Sequence, residues 1–216
     1  MTISFEVKID EAAVADAVSA FEFVGGNTAK ALQIAINKTG PKIRTLASAE
    51  MRKQVNLSAS YIRERLFFVR AMPWGLTGKI TTPHRGMLMP RYSTNAAIKN
   101  TVSGAVGSTP KTPKGGVRVK VKTGGGSKIL RGNAETKGNK PFFMILQRSG
   151  ALGIVARRAG RGARGGKIKV FYGPSMSQVF STVRGDVLPD AAAEYQHQLL
   201  DAMRYILVKQ NPPEAA

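Results

Sequence analysis

The chain contains no cysteine and only two histidines among its 216 residues. Without cysteine, a disulfide framework, a thiolate metal site and a cysteine nucleophile are all excluded. His84 and His197 stand 113 positions apart, whereas zinc ligands usually occur as clusters of His, Cys or acidic residues. We therefore expect no metal and no cofactor.

Acidic residues are almost missing from the middle of the chain. Residues 65–185 carry 23 Lys and Arg but a single acid, Glu135, while the flanking segments are nearly balanced in charge. General acid–base and metal-assisted catalysis both depend on well-placed carboxylates, and this region has none to pair. We expect no catalytic residue and no enzymatic activity.

Long apolar runs are also missing. No segment approaches the roughly 20 apolar residues that a membrane-spanning helix needs, and Met1–Val7 lacks the pattern of a secretory signal. Binding to an anionic membrane surface would favour cations on an amphipathic helix, but the best helical patterns lie in the charge-balanced ends. The sequence therefore predicts a protein assembled in the cytoplasm without a membrane partner.

The feature that remains is concentrated positive charge, with a net charge of +20 for the whole chain. Uncompensated cations repel one another, which destabilises the compact state unless an anionic partner lies against them. Nucleic acid is the favoured partner. Since no helix-turn-helix or RNA-recognition signature is present, we expect contacts to backbone phosphate and not to base edges.

The first third of the chain has helical periodicity. Alternation over Ser4–Asp10 predicts a strand, and Glu11–Val24 a short helix. A longer helix is predicted from Asn27 to about Val55, with a kink or a break at Gly40–Pro41 because proline cannot donate its backbone N–H. A further short helix is predicted over Ser60–Phe68.

The basic middle is predicted to form strands and loops. Residues 117–122 alternate valine with Arg or Lys, and residues 167–172 repeat an alternation of apolar and cationic side chains. If both strands belong to one sheet, their cations form a basic plate; the alternative is an ordinary solvated face. Segments 108–116 and 123–128 have the composition of loops. Residues 157–167 resemble an arginine-glycine tract, which suits a phosphate backbone or a neighbouring subunit equally well.

The C-terminal part is predicted to be a helix over residues 186–210, with Pro189 in its first turn. Gly173–Pro174 is predicted to be a turn that positions this helix and has no chemical role. The whole chain is predicted to be a single domain, with a mainly helical part over 1–70, a basic part of strands and loops over 71–185, and this helix.

Four short motifs follow one another in the third quarter of the chain. They are Pro141-Phe142-Phe143, Ser149-Gly150, Ile154-Val155-Ala156-Arg157-Arg158 and Ile168 to Met176. Their order resembles the minor tail protein Z family of long-tailed, lambda-like phages. Members of that family are similar in having a helical first third, here Ala31–Thr39 and Tyr61–Leu66.

This resemblance implies a tail completion protein, a non-enzymatic part of the virion at the head-proximal end of the tail that is needed for head joining. Its expected partners are further copies of itself in a ring, expected to be a hexamer, the tail terminator or tail tube protein, and head–tail connector proteins. Double-stranded DNA entering the tail is a further expected partner. Such a ring around a duplex would need no sequence readout.

The sequence therefore predicts an α+β fold, with a central, mostly antiparallel β-sheet and long basic loops packed by N-terminal helices and a C-terminal helix. One alternative function is a free, sequence-independent nucleic-acid-binding protein, associated with the ribosome or nucleoid. Another keeps the assembly but directs the cations at acidic faces of adjacent subunits. The candidate residues for contact with DNA or an acidic partner are Arg118, Lys120, Lys122, Arg157, Arg158, Arg161, Arg164, Lys167 and Lys169.

Overall fold

The computed structural model describes most of the chain in five longer stretches. These are residues 27–93, 107–109, 114–132, 139–158 and 167–210, together with Ser19, Phe21, Glu22, Thr112 and Thr136. The predicted strand over 4–10 and the candidate contacts Arg161 and Arg164 lie outside the described residues. Of the predicted helix over 11–24, the three described residues are helical.

The described elements are a mixture of helices and short strands, so the α+β class is confirmed. The elements are α1 Thr28–Gln54, α2 Ala59–Arg63, β1 Phe67–Val69, β2 Lys79–Thr81, β3 Gly86–Leu88, a 3-10 helix Met89–Tyr92, β4 Arg118–Val119, β5 Lys128–Ile129, β6 Phe142–Ile145, β7 Leu152–Arg157, β8 Ile168–Val170, β9 Tyr172–Ser175 and α3 Met176–Gln210.

The strands form four small antiparallel sheets and not the one central sheet that the sequence predicts. The pairings among the described strands are β1–β2, β3–β9, β4–β5 and β6–β7–β8. Phe171 shows why one sheet does not form. Its amide donates to the carbonyl of Ile154 in β7, at 2.9 Å, while its carbonyl accepts from the amide of Met89, at 3.3 Å. The chain therefore leaves one sheet and joins another at this residue.

The chain divides into two compact units, neither of which is a continuous stretch. Unit 1 comprises residues 1–51, 58–84 and 177–216, and unit 2 comprises residues 52–57 and 85–176. The chain passes between the units four times. The units therefore differ from a pair of domains that follow one another along the sequence.

In unit 1, helix α1 is packed on two opposite faces. Ala31 and Ala35 are buried in a cluster with the α3 residues Tyr195 and Leu199. On the other face, Asn37 forms two hydrogen bonds with the backbone of Ala71, which follows β1: its amide donates to the carbonyl at 3.1 Å, and its oxygen accepts from the N–H at 2.9 Å. Both contacts fix the helix between α3 and the β1–β2 hairpin.

Helix α1 continues through Gly40–Pro41. Of the two predicted alternatives, two consecutive helices is therefore wrong, and the kink stays a prediction. Pro41 removes one backbone hydrogen bond, to the carbonyl of Asn37, but the packing on both faces of the helix compensates. Gly40 is needed for that packing. A Cβ at this position would lie 2.1 Å from the ring tip of Phe68 in β1.

The two other helix predictions have wrong boundaries. The short helix extends only over Ala59–Arg63, where Ser58 caps it by accepting from the amide of Tyr61, and residues 67–69 form β1 instead. The last helix begins at Met176, ten residues earlier than predicted, so that Pro189 lies inside it. The buried side chains of Phe180, Val183 and Val187 continue the apolar face of the helix through this extra length.

Unit 2 is organised around the buried Tyr92, which ends the 3-10 helix. Its hydroxyl donates to the sulfur of Met87 at 3.8 Å, and its ring lies against Gly173, where a Cβ would approach to 2.5 Å. Gly173 and Pro174 belong to strand β9, so the predicted turn at these residues is wrong. Gly173 has a packing role because only a residue without a side chain admits the ring.

Gly40 and Gly185 both lie inside helices and give a matched test of the packing of Phe68 on Gly40. Gly40→Ala should gain about 1 kcal/mol of helix propensity but lose about 1–3 kcal/mol by overpacking against Phe68. We expect a net loss of up to about 2 kcal/mol in the free energy of unfolding by urea. Gly185→Ala, where a Cβ meets nothing within 4 Å, should gain up to about 1 kcal/mol. Equal changes in the two variants would contradict the packing at Gly40.

Candidate nucleic-acid interface

The first cationic segment, residues 117–122, has the alternation that the sequence predicts. Val117 and Val119 are buried, whereas Arg118 and Lys122 are exposed and Lys120 is half-buried. Strand β4 pairs with β5, so that Arg118 stands opposite Ile129 and Val119 opposite Lys128. The valines hold the strand on the core of unit 2, which leaves the cations at the surface.

The backbone of this segment is fixed by hydrogen bonds to two other parts of unit 2. The amide of Lys120 donates to the carbonyl of Tyr92 at 2.8 Å, and the hydroxyl of Ser93 donates to the carbonyl of Arg118 at 3.3 Å. The amide of Asn56 donates to the carbonyl of Val121 at 2.8 Å. The cations therefore project from a backbone that is held on both sides.

Thr123 connects the same segment to the C-terminal end of helix α1. Its hydroxyl donates to the carbonyl of Arg52 at 2.6 Å, and its amide donates to the carbonyl of Gln54 at 3.3 Å. These are carbonyls of the last turn, which have no partner within the helix. Arg52 is a further exposed cation near Lys122 that the sequence analysis missed, because a separation of about 70 residues gives no local signal.

The second cationic group lies where the arginine-glycine tract joins strand β7 to strand β8. Arg157 pairs with Ile168, and the amide of Arg158 donates to the carbonyl of Lys167 at 2.8 Å. The side-chain amide of Asn139 also donates to the carbonyl of Arg157, at 3.0 Å. The structure thus brings these predicted contact residues together from both sides of the tract.

The predicted division of residues 167–172 into an apolar and a cationic face is wrong. Ile168 and Tyr172, which were predicted on the apolar face, are exposed. Lys169, which was predicted on the cationic face, is half-buried and pairs with the fully buried Ala156. The sheet is covered on both faces around β7, so a short edge strand there has no single solvent face. Tyr172 moreover belongs to another sheet, since it pairs with Leu88 of β3.

The two cationic strands do not form the basic plate that one sheet would have made. Strand β4 pairs with β5, while β8 pairs with β7. Both sheets nevertheless belong to unit 2, where the 3-10 helix Met89–Tyr92 packs against β4 and β7 alike. The candidate interface therefore consists of two cationic groups on one unit.

The cationic side chains of these groups can bind anions. Among the described residues, no three His, Asp or Glu side chains are grouped so that they could hold a metal ion. Arginine donates to phosphate or carboxylate through a planar, two-pronged group, and lysine acts as a point charge. In the described part of the chain, no helix is both long and apolar enough to cross a membrane.

No protein-family model, curated protein or solved structure matches this chain. The resemblance to the phage tail family therefore rests on the motif order between residues 141 and 176. In the structure, these residues form β6 to β9 and the first residue of α3.

The cap formed by Thr123 can be tested with two substitutions. Thr123→Val removes the hydroxyl that donates to Arg52, which should cost about 0.5–1.5 kcal/mol and loosen the segment that carries Lys120 and Lys122. We expect faster hydrogen–deuterium exchange at the amide of Asn56, whose acceptor is Val121. Thr123→Ser keeps the hydroxyl and should exchange like the unmodified chain. Identical exchange in the Val and Ser variants would contradict the role of the cap.

Proposed function

We propose that the protein is a structural component at the head-proximal end of a phage tail, where it completes the tail for head joining and contacts the end of the genome. The observation that carries this proposal is the pair of cationic groups on unit 2, within a region that has one acid over residues 65–185. The motif order between residues 141 and 176 supplies the assembly context.

The geometry favours phosphate over bases as the binding partner. The cations of residues 118–122 project from a strand whose backbone is held by Tyr92, Ser93 and Asn56. A two-residue strand in a small sheet has no extended element to insert into a groove. Fixed cations instead neutralise phosphates and release counterions, which gives affinity without sequence readout.

The proposed assembly is a closed ring, which the same charge distribution supports. In a closed ring of identical subunits, each copy would present its basic unit 2 to a duplex, and no copy would need to recognise a sequence. The tail terminator or tail tube protein and the connector proteins are the proposed neighbours. The virion is accordingly the proposed location, after assembly in the host cytoplasm.

The DNA contact predicts a steep salt dependence that is specific to unit 2. Binding to fluorescent duplexes of two unrelated sequences should weaken equally with salt, with a slope of about −0.9 per neutralised phosphate in a double-logarithmic plot. The triple variant Arg118→Gln, Lys120→Gln, Lys122→Gln should make the slope shallower by about 2 to 3, as measured by fluorescence anisotropy.

The matched control removes three exposed cations from unit 1, with Lys30→Gln, Lys38→Gln and Arg184→Gln. This variant has the same net charge as the first, so it separates a local interface from a general effect of charge. Its slope should stay close to that of the unmodified chain. A flat salt response of the unmodified chain, or equal slopes for the two variants, would contradict a DNA interface on unit 2.

The alternative, in which the cations contact acidic neighbouring subunits, is tested by measuring whether tails join heads. If the cations meet acidic proteins, Arg161→Glu with Arg164→Glu blocks tail joining even to heads that contain no DNA. Under our proposal, the same variant instead weakens duplex binding. Recovery of the protein in purified virions, and not in host ribonucleoprotein, separates both from a free nucleic-acid-binding protein.

A further inference from the structure

Unit 1 has an exposed apolar surface on the β1–β2 hairpin and the turn between its strands. Phe67 and Val69 are about half exposed on the outer side of β1, and Trp74 is 86% exposed. Met72 and Leu76 of the same turn are exposed as well. We call these five residues the Trp74 surface. Aromatic residues and Met are enriched at protein interfaces, and Trp is a frequent centre of binding energy.

Two backbone hydrogen bonds close the turn that carries Trp74. The amide of Met72 donates to the carbonyl of Gly75 at 3.1 Å, and the amide of Gly75 donates back to the carbonyl of Met72 at 3.0 Å. Pro73 restricts the backbone between them. These restraints reduce the backbone entropy that is lost when a partner covers the indole, so this geometry favours binding.

A second exposed surface lies on the outer face of helix α3. Asp190, His197, Arg204 and Val208 recur at intervals of seven, seven and four residues, so they share the face opposite the buried Leu199. We call this outer face, together with its flanks, the α3 surface. Its apolar members are Leu200, Tyr205 and Val208, and its acids are Asp186, Asp190 and Asp201.

The two surfaces face away from each other because helix α1 separates their elements. Ala31 and Ala35 face α3, and Lys42, seven residues further, forms an ion pair with Glu194 of α3. Asn37 and Gly40 contact the hairpin segment and lie about half a turn of helix away from the first set. One copy can therefore present both surfaces at the same time, in opposite directions.

The charges of the two surfaces are complementary. Arg70 and Lys79 are exposed next to the apolar residues of the hairpin, whereas the α3 surface carries three acids and one arginine, Arg204. We propose that the Trp74 surface of one copy docks on the α3 surface of a second copy. This inference rests on the proposed assembly and names its contact.

Such a contact is heterologous, since different surfaces of the two copies meet. When one copy docks on another, the pair still has one free Trp74 surface and one free α3 surface. Further copies can therefore add through the same contact. Acidic residues opposite basic ones also disfavour the two like pairings, of hairpin with hairpin and of helix with helix. The interface therefore specifies a direction around the assembly.

The chain has a single tryptophan, which reports directly on this contact. On dilution, the unmodified chain should dissociate, as measured by light scattering, and the emission of Trp74 should shift to longer wavelength over the same concentration range. Trp74→Ala should raise the dissociation constant at least about 30-fold. Leu200→Lys should do the same from the other side, because it places a cation in the apolar part of the α3 surface, opposite the basic hairpin.

The control variant is Ile129→Lys, which introduces the same charge at an apolar residue of unit 2 that is as exposed as Leu200. It should associate like the unmodified chain. Circular dichroism and thermal unfolding of each variant establish that the chains are folded before their masses are compared.

Mixing the two defective chains gives the decisive test. The Trp74→Ala chain keeps its α3 surface, and the Leu200→Lys chain keeps its Trp74 surface, so together they should form a 1:1 complex that grows no further. The first chain has no tryptophan. A shift of the emission to shorter wavelength must therefore come from Trp74 of the second chain.

Two monomeric chains after mixing, with unchanged emission, would overturn the interface. So would an emission shift of the unmodified monomer that occurs only with phosphatidylglycerol vesicles, because it would make a lipid surface the occupant. The DNA slope separates this inference from the proposed function. A flat slope with the 1:1 complex intact removes the DNA contact alone, and a steep slope with no complex removes this interface alone.

Discussion

Repulsion among the cations of unit 2 is the constraint that the rest of this part of the structure has to accommodate. With one acid over residues 65–185, ion pairs within the region can contribute little to its stability. Backbone hydrogen bonds and buried side chains hold the cation-bearing strands instead. Val117 and Val119 are buried under β4, and the carbonyls of Arg118, Lys120 and Val121 all accept hydrogen bonds from other segments.

Tyr92 links the two cationic groups to one core. Its carbonyl accepts from Lys120 in the first group, its ring packs on Gly173 of β9, and the 3-10 helix that it ends also contacts β7 of the second group. The positions of the cations thus depend on a neutral, buried residue. This arrangement keeps like charges fixed at the surface, where a polyanion can neutralise several of them at once.

The sequence predicts most strongly where one periodicity dominates. Helix α1 and the alternation over 117–122 were predicted correctly, because each has a buried stripe with the right spacing. The continuity of helix α1 through Gly40–Pro41 was not predicted, because the packing of Phe68 on Gly40 is not visible in the local sequence. The start of α3 was within reach, since Met176, Phe180, Val183 and Val187 have helical spacing, but the Gly-Pro pair before them was interpreted as a turn.

The candidate site was predicted only in part for the same reason. The cations themselves are obvious from composition, but their grouping depends on which strands pair. The pairing of β4 with β5 and of β8 with β7 is decided by contacts far apart along the chain, such as that of Phe171 with Ile154 and Met89. The cap of α1 by Thr123, which brings Arg52 near Lys122, has no sequence signature at all.

Lysine footprinting on the full chain tests the central claim most directly. Acetylation of each lysine can be measured by mass spectrometry, with and without duplex DNA at low salt. The account predicts that duplex DNA protects Lys120, Lys122 and Lys167 in unit 2, while the exposed Lys30 and Lys38 of unit 1 are modified equally in both conditions. Uniform protection of all five lysines, or none, would contradict a localised polyanion interface on unit 2.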